Sequence, residues 1–341
     1  MRIAVLGYEQ AGKRTLFSLL TGRNAPASMR EDEAIEGMAA IRDDRVETLA
    51  GIRRPERTRY AEMPCVLCPP VREGGPRHWL EPARRCDLLA VIVRGFTSEA
   101  VYHPSGTVDA GRDRRSLSEE LILADMELVE KRLQRIEKEK RHGQTDTQKT
   151  EQQVLSKCLN ALESEKRLEV LELTPSEQAS VRSLGFLSLK PVLWIINVDE
   201  NAVTDALGNP LSISCEIEKE IAEIDDPASR KAFLGDLGIS TPGMERVGRA
   251  AVRAAGLVTF FTIGEDEVKS WTVTRGASAP EAAGKIHSDM QRGFIRVEVI
   301  KFDDLVAAGS ESAAKEQGKS SLKGKDYVVE EGDICHFRFN V

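Results

Sequence analysis

Residues 2–20 read Arg2-Ile3-Ala4-Val5-Leu6-Gly7-Tyr8-Glu9-Gln10-Ala11-Gly12-Lys13-Arg14-Thr15-Leu16-Phe17-Ser18-Leu19-Leu20, and the order of residue types here decides the fold. Ile3 to Leu6 is a short apolar run of strand formers. A glycine loop follows, and then a segment with the apolar density of a helix packing on a sheet. Gly7, Gly12 and Lys13 match the phosphate-binding loop G-x-x-x-x-G-K-S/T up to its last position. The two glycines let backbone approach a phosphate closely, with successive N–H groups aimed at the anion. A helix starting at Lys13 adds its positive dipole end, and Lys13 itself supplies a point charge for the outer phosphates. The predicted contacts of this stretch are Gly7, Glu9, Gln10, Ala11, Gly12, Lys13, Arg14 and Thr15.

The last position of the motif departs. A hydroxyl should follow the lysine and hold Mg²⁺, but Arg14 stands there and Thr15 comes one place later. One residue turns a helical side chain by about 100°. Thr15 is therefore expected to face the strand side rather than a metal.

Working outward, the apolar runs Asp87–Arg94 and Pro191–Asn197 are expected to be strands buried on both faces of a parallel sheet, with Leu211–Ser214 a weaker third. Strands joined by helices behind a phosphate loop predict an open α/β nucleotide-binding fold. Met38–Ile41 reads as an edge strand, Arg45–Ala50 as a helix ending near Gly51, and Cys65–Cys68 as a short strand stopped by Pro69-Pro70. Pro76–Arg85 reads as a helix or loop on the surface. Ser116–Arg141 and Thr145–Leu171 carry apolar residues at helical spacing on either side of His142-Gly143-Gln144, which predicts an antiparallel helical hairpin. Its dense Lys/Glu content reads first as a solvated face, with a partner-binding arm as the alternative. From Thr259 the pattern changes to short strands, at Trp271–Val273, Phe294–Val299, Tyr327–Val329 and Ile334–Phe339. Pro280–His287 reads as a helix with proline in its first turn. One helix on a small mixed sheet is a β-grasp-sized module, in which His287 and His336 read as structural.

Bulk properties bound the class. At 341 residues the chain has room for about two or three domains. Hydrophobic content of 41% with 30% charged residues describes a globular protein, and net charge of −7 argues against a surface that coats nucleic acid broadly. No apolar run reaches the ~18 residues needed to span a bilayer, and Met1 leads straight into a strand, so a cytoplasmic protein without membrane contact is expected. The six cysteines are expected to be free thiols. Cys65 and Cys68 form a C-x-x-C with no second pair at zinc spacing, so no metal ligands are assigned.

Several stretches together resemble the YchF/Obg-like ATPases, a branch of the translation-factor-class P-loop proteins. Gly7 to Phe17 is similar to that family's first motif. Leu184–Pro191 followed by Ile196–Glu200 resembles its base-recognition region, Ser214–Glu218 its fifth motif, and His336–Val341 its ending. Phe233–Gly238, Trp271–Val273, Gly276-Ala277 and Ala279-Pro280 continue the likeness over nearly the whole chain. The resemblance implies an α/β P-loop G domain over residues 1–115 and 186–257, an inserted antiparallel helical hairpin over 116–185, and a C-terminal β-grasp (TGS) domain over 258–341. It implies binding of ATP (or GTP), with ATP preferred because Asn197-Val198-Asp199-Glu200 fits Asn-x-x-Glu. A terminal aspartate accepts two guanine N–H groups, whereas a displaced glutamate loses that fit. Asn197, Val198, Glu200, Ser214, Cys215 and Glu216 become nucleotide contacts on this reading. Without the resemblance, Asn197–Glu200 is a strand-end turn with an Asn cap. A ribosome or RNA partner, through the hairpin and TGS domain, is implied as well; DNA is not.

Set against the family pattern, three metal-associated positions are lost. Arg14 replaces the loop hydroxyl, Glu31 falls where the first switch carries threonine, and Leu67 falls on the aspartate of the second switch; Pro70 falls on that switch's glycine, whose N–H would bond the γ-phosphate. Mg²⁺ binding is therefore doubtful, and no catalytic residue is assigned. The expected function is nucleotide binding with weak or lost hydrolysis, as a translation-associated regulator. An active ATPase completed by displaced residues or by the ribosome is one alternative, and a nucleotide-free scaffold is another. Arg14 either places a guanidinium near the phosphates in the metal's stead or points to solvent.

Overall fold

The computed structural model describes all residues except 27–32, 72–76, 141–144, Leu207, Asp225 and Val341. The Glu31 assignment and the His142-Gly143-Gln144 break lie outside the described residues. Twelve strands occur among the described residues: β1 (Ile3–Leu6), β2 (Ile35–Ile41), β3 (Arg57–Arg59), β4 (Ala61–Leu67), β5 (Leu88–Arg94), β6 (Val192–Asn197), β7 (Leu211–Ile213), β8 (Leu257–Ile263), β9 (Glu267–Thr274), β10 (Phe294–Lys301), β11 (Ser320–Lys323) and β12 (Asp333–Phe339). Contacts divide the chain into two compact units, one of Met1–Gly37 with Pro64–Ser240 and the other of Met38–Met63 with Thr241–Val341. Compared with the cuts expected at 115/116, 185/186 and 257/258, this division groups the helical hairpin with the first unit and residues 38–63 with the C-terminal residues.

The first sheet has the order β2-β4-β1-β5-β6-β7. β1 pairs in parallel with β4 and β5, β5 with β6, and β6 with β7, as the continuous apolar runs require. All of β1 and all of β5 are buried. The chain leaves β1 through the glycine loop into α1 (Lys13–Thr21), whose Leu16, Phe17 and Leu20 are buried.

Some boundaries differ from expectation. α2 (Asp44–Arg53) runs through Gly51, capped at its start by the Asp43 carboxylate on the Arg45 N–H. The stretch after Pro76 is no surface element, because Trp79, Leu80 and Ala83 enter the core around the 3₁₀ turn His78–Leu80 and α3 (Glu81–Arg84). α4 (Ala110–Glu139) begins six residues ahead of Ser116, capped by Asp109. α5 (Asp146–Glu163) stops short of Leu171 and is followed by a 3₁₀ turn at Leu168–Val170. Arg132 on α4 pairs with Glu151 on α5, and Glu139 accepts from Gln148, so the two helices run antiparallel.

The apolar stripe of α4 serves two cores. Leu117, Leu121 and Ala124 pack into the core of the first sheet, while Val129 and Ile136 join Val154, Leu155, Cys158 and Leu162 inside the hairpin. Asp125, fully buried between these sets, receives four hydrogen bonds: from Arg84 Nη1 at 2.8 Å, Leu187 N at 3.0 Å, and Ser188 N and Oγ at 2.7 Å each.

The second unit carries a sheet ordered β11-β10-β12-β8-β9-β3, with the Ala279–Ile286 helix bedded on it through Ala279, Ala282 and Ala283. This is the helix-on-mixed-sheet arrangement expected from Thr259 onward. Tyr327–Val329 is not a strand, because only Val328 bridges, to Ser278. The edge strand there is instead the polar β11, paired with β10.

Candidate functional site

A cavity of about 830 Å³ opens at the carboxyl ends of the parallel strands. Its floor is the predicted loop. Gly7 has φ +150°, and a Cβ there would meet the Ile92 carbonyl oxygen at 2.2 Å. Gly12 has φ +104°, and its Cβ would meet Asn197 Nδ2 at 2.6 Å. Both glycines are thus demanded by the protein's own packing against β5 and Asn197, besides any ligand. Gln10 adds a third left-handed residue, at φ +59°. The helix α1 that follows has no side-chain cap at its start, and a helix N-terminus at a cavity favours an anion.

Of the predicted loop contacts, Glu9, Gln10, Gly12, Lys13, Arg14 and Thr15 line the cavity, while Gly7 and Ala11 are buried beneath it. Thr15, expected to face the strand side, is half-buried and lines the cavity, while Leu16 in the same turn is fully buried.

The carboxyl ends of β6 and β7 supply the opposite wall. Asn197 ends β6, and both polar atoms of its side chain hold the fold together: Nδ2 donates to Ala11 O at 3.1 Å and Oδ1 accepts from Cys215 N at 2.9 Å. One Nδ2 hydrogen remains for a ligand. Val198 and Glu200 line the cavity, as do Ser214, Cys215 and Glu216 at the start of α7 (Cys215–Glu223). Ser214 caps that helix, and burial pushes the Cys215 thiol up to about 12, so it is a neutral wall atom.

A third wall, residues 96–101, is absent from the sequence-based set. Arg94, buried at the end of β5, donates to the carbonyl oxygens of Phe96, Ser98, Val101 and Tyr102 at 3.0–3.3 Å, and its guanidinium lies over the Phe96 ring. That web turns the chain so that Phe96, Thr97, Ser98 and Val101 face the cavity. The Asp199 carboxylate accepts from Thr97 N at 3.1 Å and Oγ1 at 3.0 Å, joining this wall to the end of β6. Farther along, His103 Nδ1 accepts from Ser105 N, which leaves Nε2 to donate to buried Asp113 at 2.9 Å. The available signal was Arg94 itself, a charged residue closing a run that is otherwise apolar. Lys219, also at the cavity, carried no signal.

Electrostatically the site is dominated by Lys13. Its side chain is 7% exposed and its ammonium has no hydrogen-bond acceptor. Burial depresses it from 10.5 to about 7, with Cys68 and Glu9 pulling the other way. An unsatisfied buried ammonium is costly, and an anion in the cavity would satisfy it.

The residue after Lys13 is Arg14 rather than a hydroxyl residue, and the carboxylates that line the cavity are those of Glu9, Asp199, Glu200 and Glu216. Leu67, Cys68 and Pro70 present no carboxylate to the cavity. Among the described residues, no group of three or more His, Cys, Asp or Glu side chains is placed to hold a metal ion. Nor, among them, is any helix long and apolar enough to cross a membrane.

The YchF-GTPase_C family model, described as a protein of unknown function (DUF933), matches residues 257–340. A ribosome-binding ATPase YchF from Bacillus subtilis (strain 168) is 37% identical over 362 residues, spanning 99% of this chain and 98% of that one. Its namesake from Escherichia coli O157:H7 is 36% identical over 365 residues, spanning 100% and 99%. A solved structure described as the Schizosaccharomyces pombe YchF GTPase matches with a TM-score of 0.77 at 26% identity, covering 99% of this chain and 97% of that chain.

Proposed function

The chain belongs to the YchF family, and from that premise we propose that it binds a purine nucleotide, ATP ahead of GTP, with weak or lost hydrolysis, as a ribosome-associated regulator. The observation that carries the nucleotide reading is the buried, acceptor-free ammonium of Lys13 beside the uncapped start of α1. Backbone N–H groups and a desolvated cation converge there on the position of a phosphate. On the other side, the Phe96 ring, Val198 and the Cys215 thiol offer apolar surface to a base, with Glu200 at its edge. The ribosome is proposed as partner because the relatives carry it in their names.

Glu200 stands where a guanine-selective site needs an aspartate to accept two N–H groups. In displacement of a fluorescent nucleotide, ATP is expected to compete several-fold better than GTP. Equal competition by GTP discards the base assignment. Co-sedimentation of the purified protein with ribosomes tests the partner, and the expected result is nucleotide-dependent pelleting.

Lys13 also couples binding to protons. The ligand-free ammonium titrates near 7, and a bound phosphate favours the charged form and raises that value. At pH 8 the free site is mostly neutral, so ATP binding should take up close to one proton, and affinity should fall by up to about tenfold per pH unit above 7. Calorimetry at pH 8 in two buffers of different ionisation enthalpy measures the uptake. Zero uptake excludes Lys13 as the titrating contact.

Thr15 favours a second reading, an active ATPase with a displaced hydroxyl, because it is among the residues that line the cavity. Mg²⁺-dependent turnover that is lost in Thr15→Val would decide for that reading.

A further inference from the structure

We infer that this site takes the polyphosphate without a divalent cation, with Arg14 and Lys13 supplying the charge that Mg²⁺ supplies in a metal-dependent phosphate loop. The inference rests on the nucleotide reading above and goes further, by specifying the ionic form of the ligand.

Three features of the cavity carry it. The first is the residue after the loop lysine, where a metal-dependent loop has a hydroxyl on the ion. Arg14 occupies that position, exposed and on the cavity wall. A guanidinium brings a fixed positive charge and a planar fork of donors suited to phosphate oxygens, and it repels a metal ion. Second is the segment beside the loop. Leu67 pairs in register with Val5, Cys68 N donates to Val5 O, and Val71 N donates to Gly7 O at 3.2 Å, so residues 67–71 run alongside the phosphate loop. Leu67, Cys68 and Pro70 face the cavity there. Leucine has no oxygen for a metal or its water shell, proline has no N–H for a phosphate, and burial holds the Cys68 thiol neutral.

The third feature is charge. Lys13 is desolvated and lacks an acceptor, so its amine gains full charge when an anion arrives, with Arg14 next to it in the chain. A hydrated Mg²⁺ between these two cations would add like charge, which a low-dielectric cleft makes costly. Of the carboxylates that line the cavity, those of Glu9, Asp199, Glu200 and Glu216, Glu9 acts on the Lys13 ammonium and Asp199 is engaged by Thr97. Two fixed cations thus replace the charge of a divalent ion, without its capacity to polarise a water molecule.

The test titrates the full chain with ATP by calorimetry, in EDTA and in excess MgCl₂, for the wild type, Arg14→Ser and Arg14→Lys. The expected wild-type affinity is equal or tighter in EDTA. Arg14→Ser should lose about tenfold or more in EDTA, the equivalent of one charge-assisted hydrogen bond, and its affinity should shift in favour of Mg²⁺. Arg14→Lys, which keeps the charge, should recover most of the loss. Wild-type binding that needs Mg²⁺ overturns the inference and leaves nucleotide binding standing. Unchanged affinity of Arg14→Ser in EDTA overturns it as well. Absence of binding at millimolar ATP in both conditions overturns the nucleotide reading itself, and with it the inference.

Discussion

Lys13→Met is expected to weaken ATP binding by at least a hundredfold while making the ligand-free protein more stable. The two effects have one cause. The Lys13 ammonium is buried, lacks an acceptor and is depressed to about 7 by desolvation. Leaving a charged donor unsatisfied costs the native state ~1–3 kcal/mol or more. Methionine matches the aliphatic stem and carries no charge, so urea denaturation of the free variant should show unfolding free energy raised by ~1–3 kcal/mol. In the complex the same ammonium would donate to phosphate oxygens. Each charge-assisted bond is worth ~1.5–3 kcal/mol, so losing more than one removes about two decades of affinity or more. A variant that binds ATP as the wild type does would show that the phosphate lies elsewhere. A variant less stable than the wild type when ligand-free would show that Lys13 has a partner in the fold.

That opposition between stability and binding is what a functional site would show, and the loop was the most legible part of the sequence. Ile3–Leu6 and Leu88–Arg94 declare buried parallel strands because an element covered on both faces must be apolar throughout. Gly7 and Gly12 declare a loop whose backbone no side chain could adopt. What chain order conceals is which groups the loop meets. The glycines approach Ile92 and Asn197, 85 and 185 residues away in the numbering. Arg94 builds the 96–101 wall through carbonyl oxygens, which have no residue type to read. Polar edge elements were also hidden. β3, Arg57-Thr58-Arg59, is exposed along its length and pairs with β9 through backbone and an Arg59–Glu267 ion pair. β11, Ser320–Lys323, has one apolar residue and was passed over for Tyr327–Val329, whose strand-forming residues contribute one bridge. High strand propensity misled where tertiary pairing was missing, and low propensity misled where pairing was present. In α4 the charged first turn, Ala110 to Arg115, hid a helix start that Asp109 caps.

Asp125→Ala is expected to lower the unfolding free energy by ~3–5 kcal/mol, the range for removing one partner of a buried ion pair. Asp125 is an acidic residue in the middle of a long charged helix, where sequence alone suggests a solvated side chain. Instead it is fully buried at the point where α4 passes from the sheet core to the hairpin core. Its carboxylate pairs with Arg84 and accepts two backbone N–H groups, of Leu187 and Ser188, together with the Ser188 hydroxyl. Alanine removes the acceptor of Arg84 Nη1 and of both amides, in a site that alanine is too small to fill, while Arg84 Nη2 keeps the Ala124 carbonyl oxygen. Asparagine keeps the volume and one acceptor oxygen but must aim an amide at a donor, so it should recover only part of the loss. The consequence reaches the site, because residues 187–191 lead directly into β6 and β6 ends on Asn197, the tie between the phosphate loop and the Ser214–Glu216 turn. Urea denaturation gives the stability change, and amide exchange at Leu187 and Ser188 reports the anchor itself. A loss under about 1 kcal/mol, the scale of an exposed ion pair, with those amides still protected, would show that the hairpin holds its place on apolar packing alone.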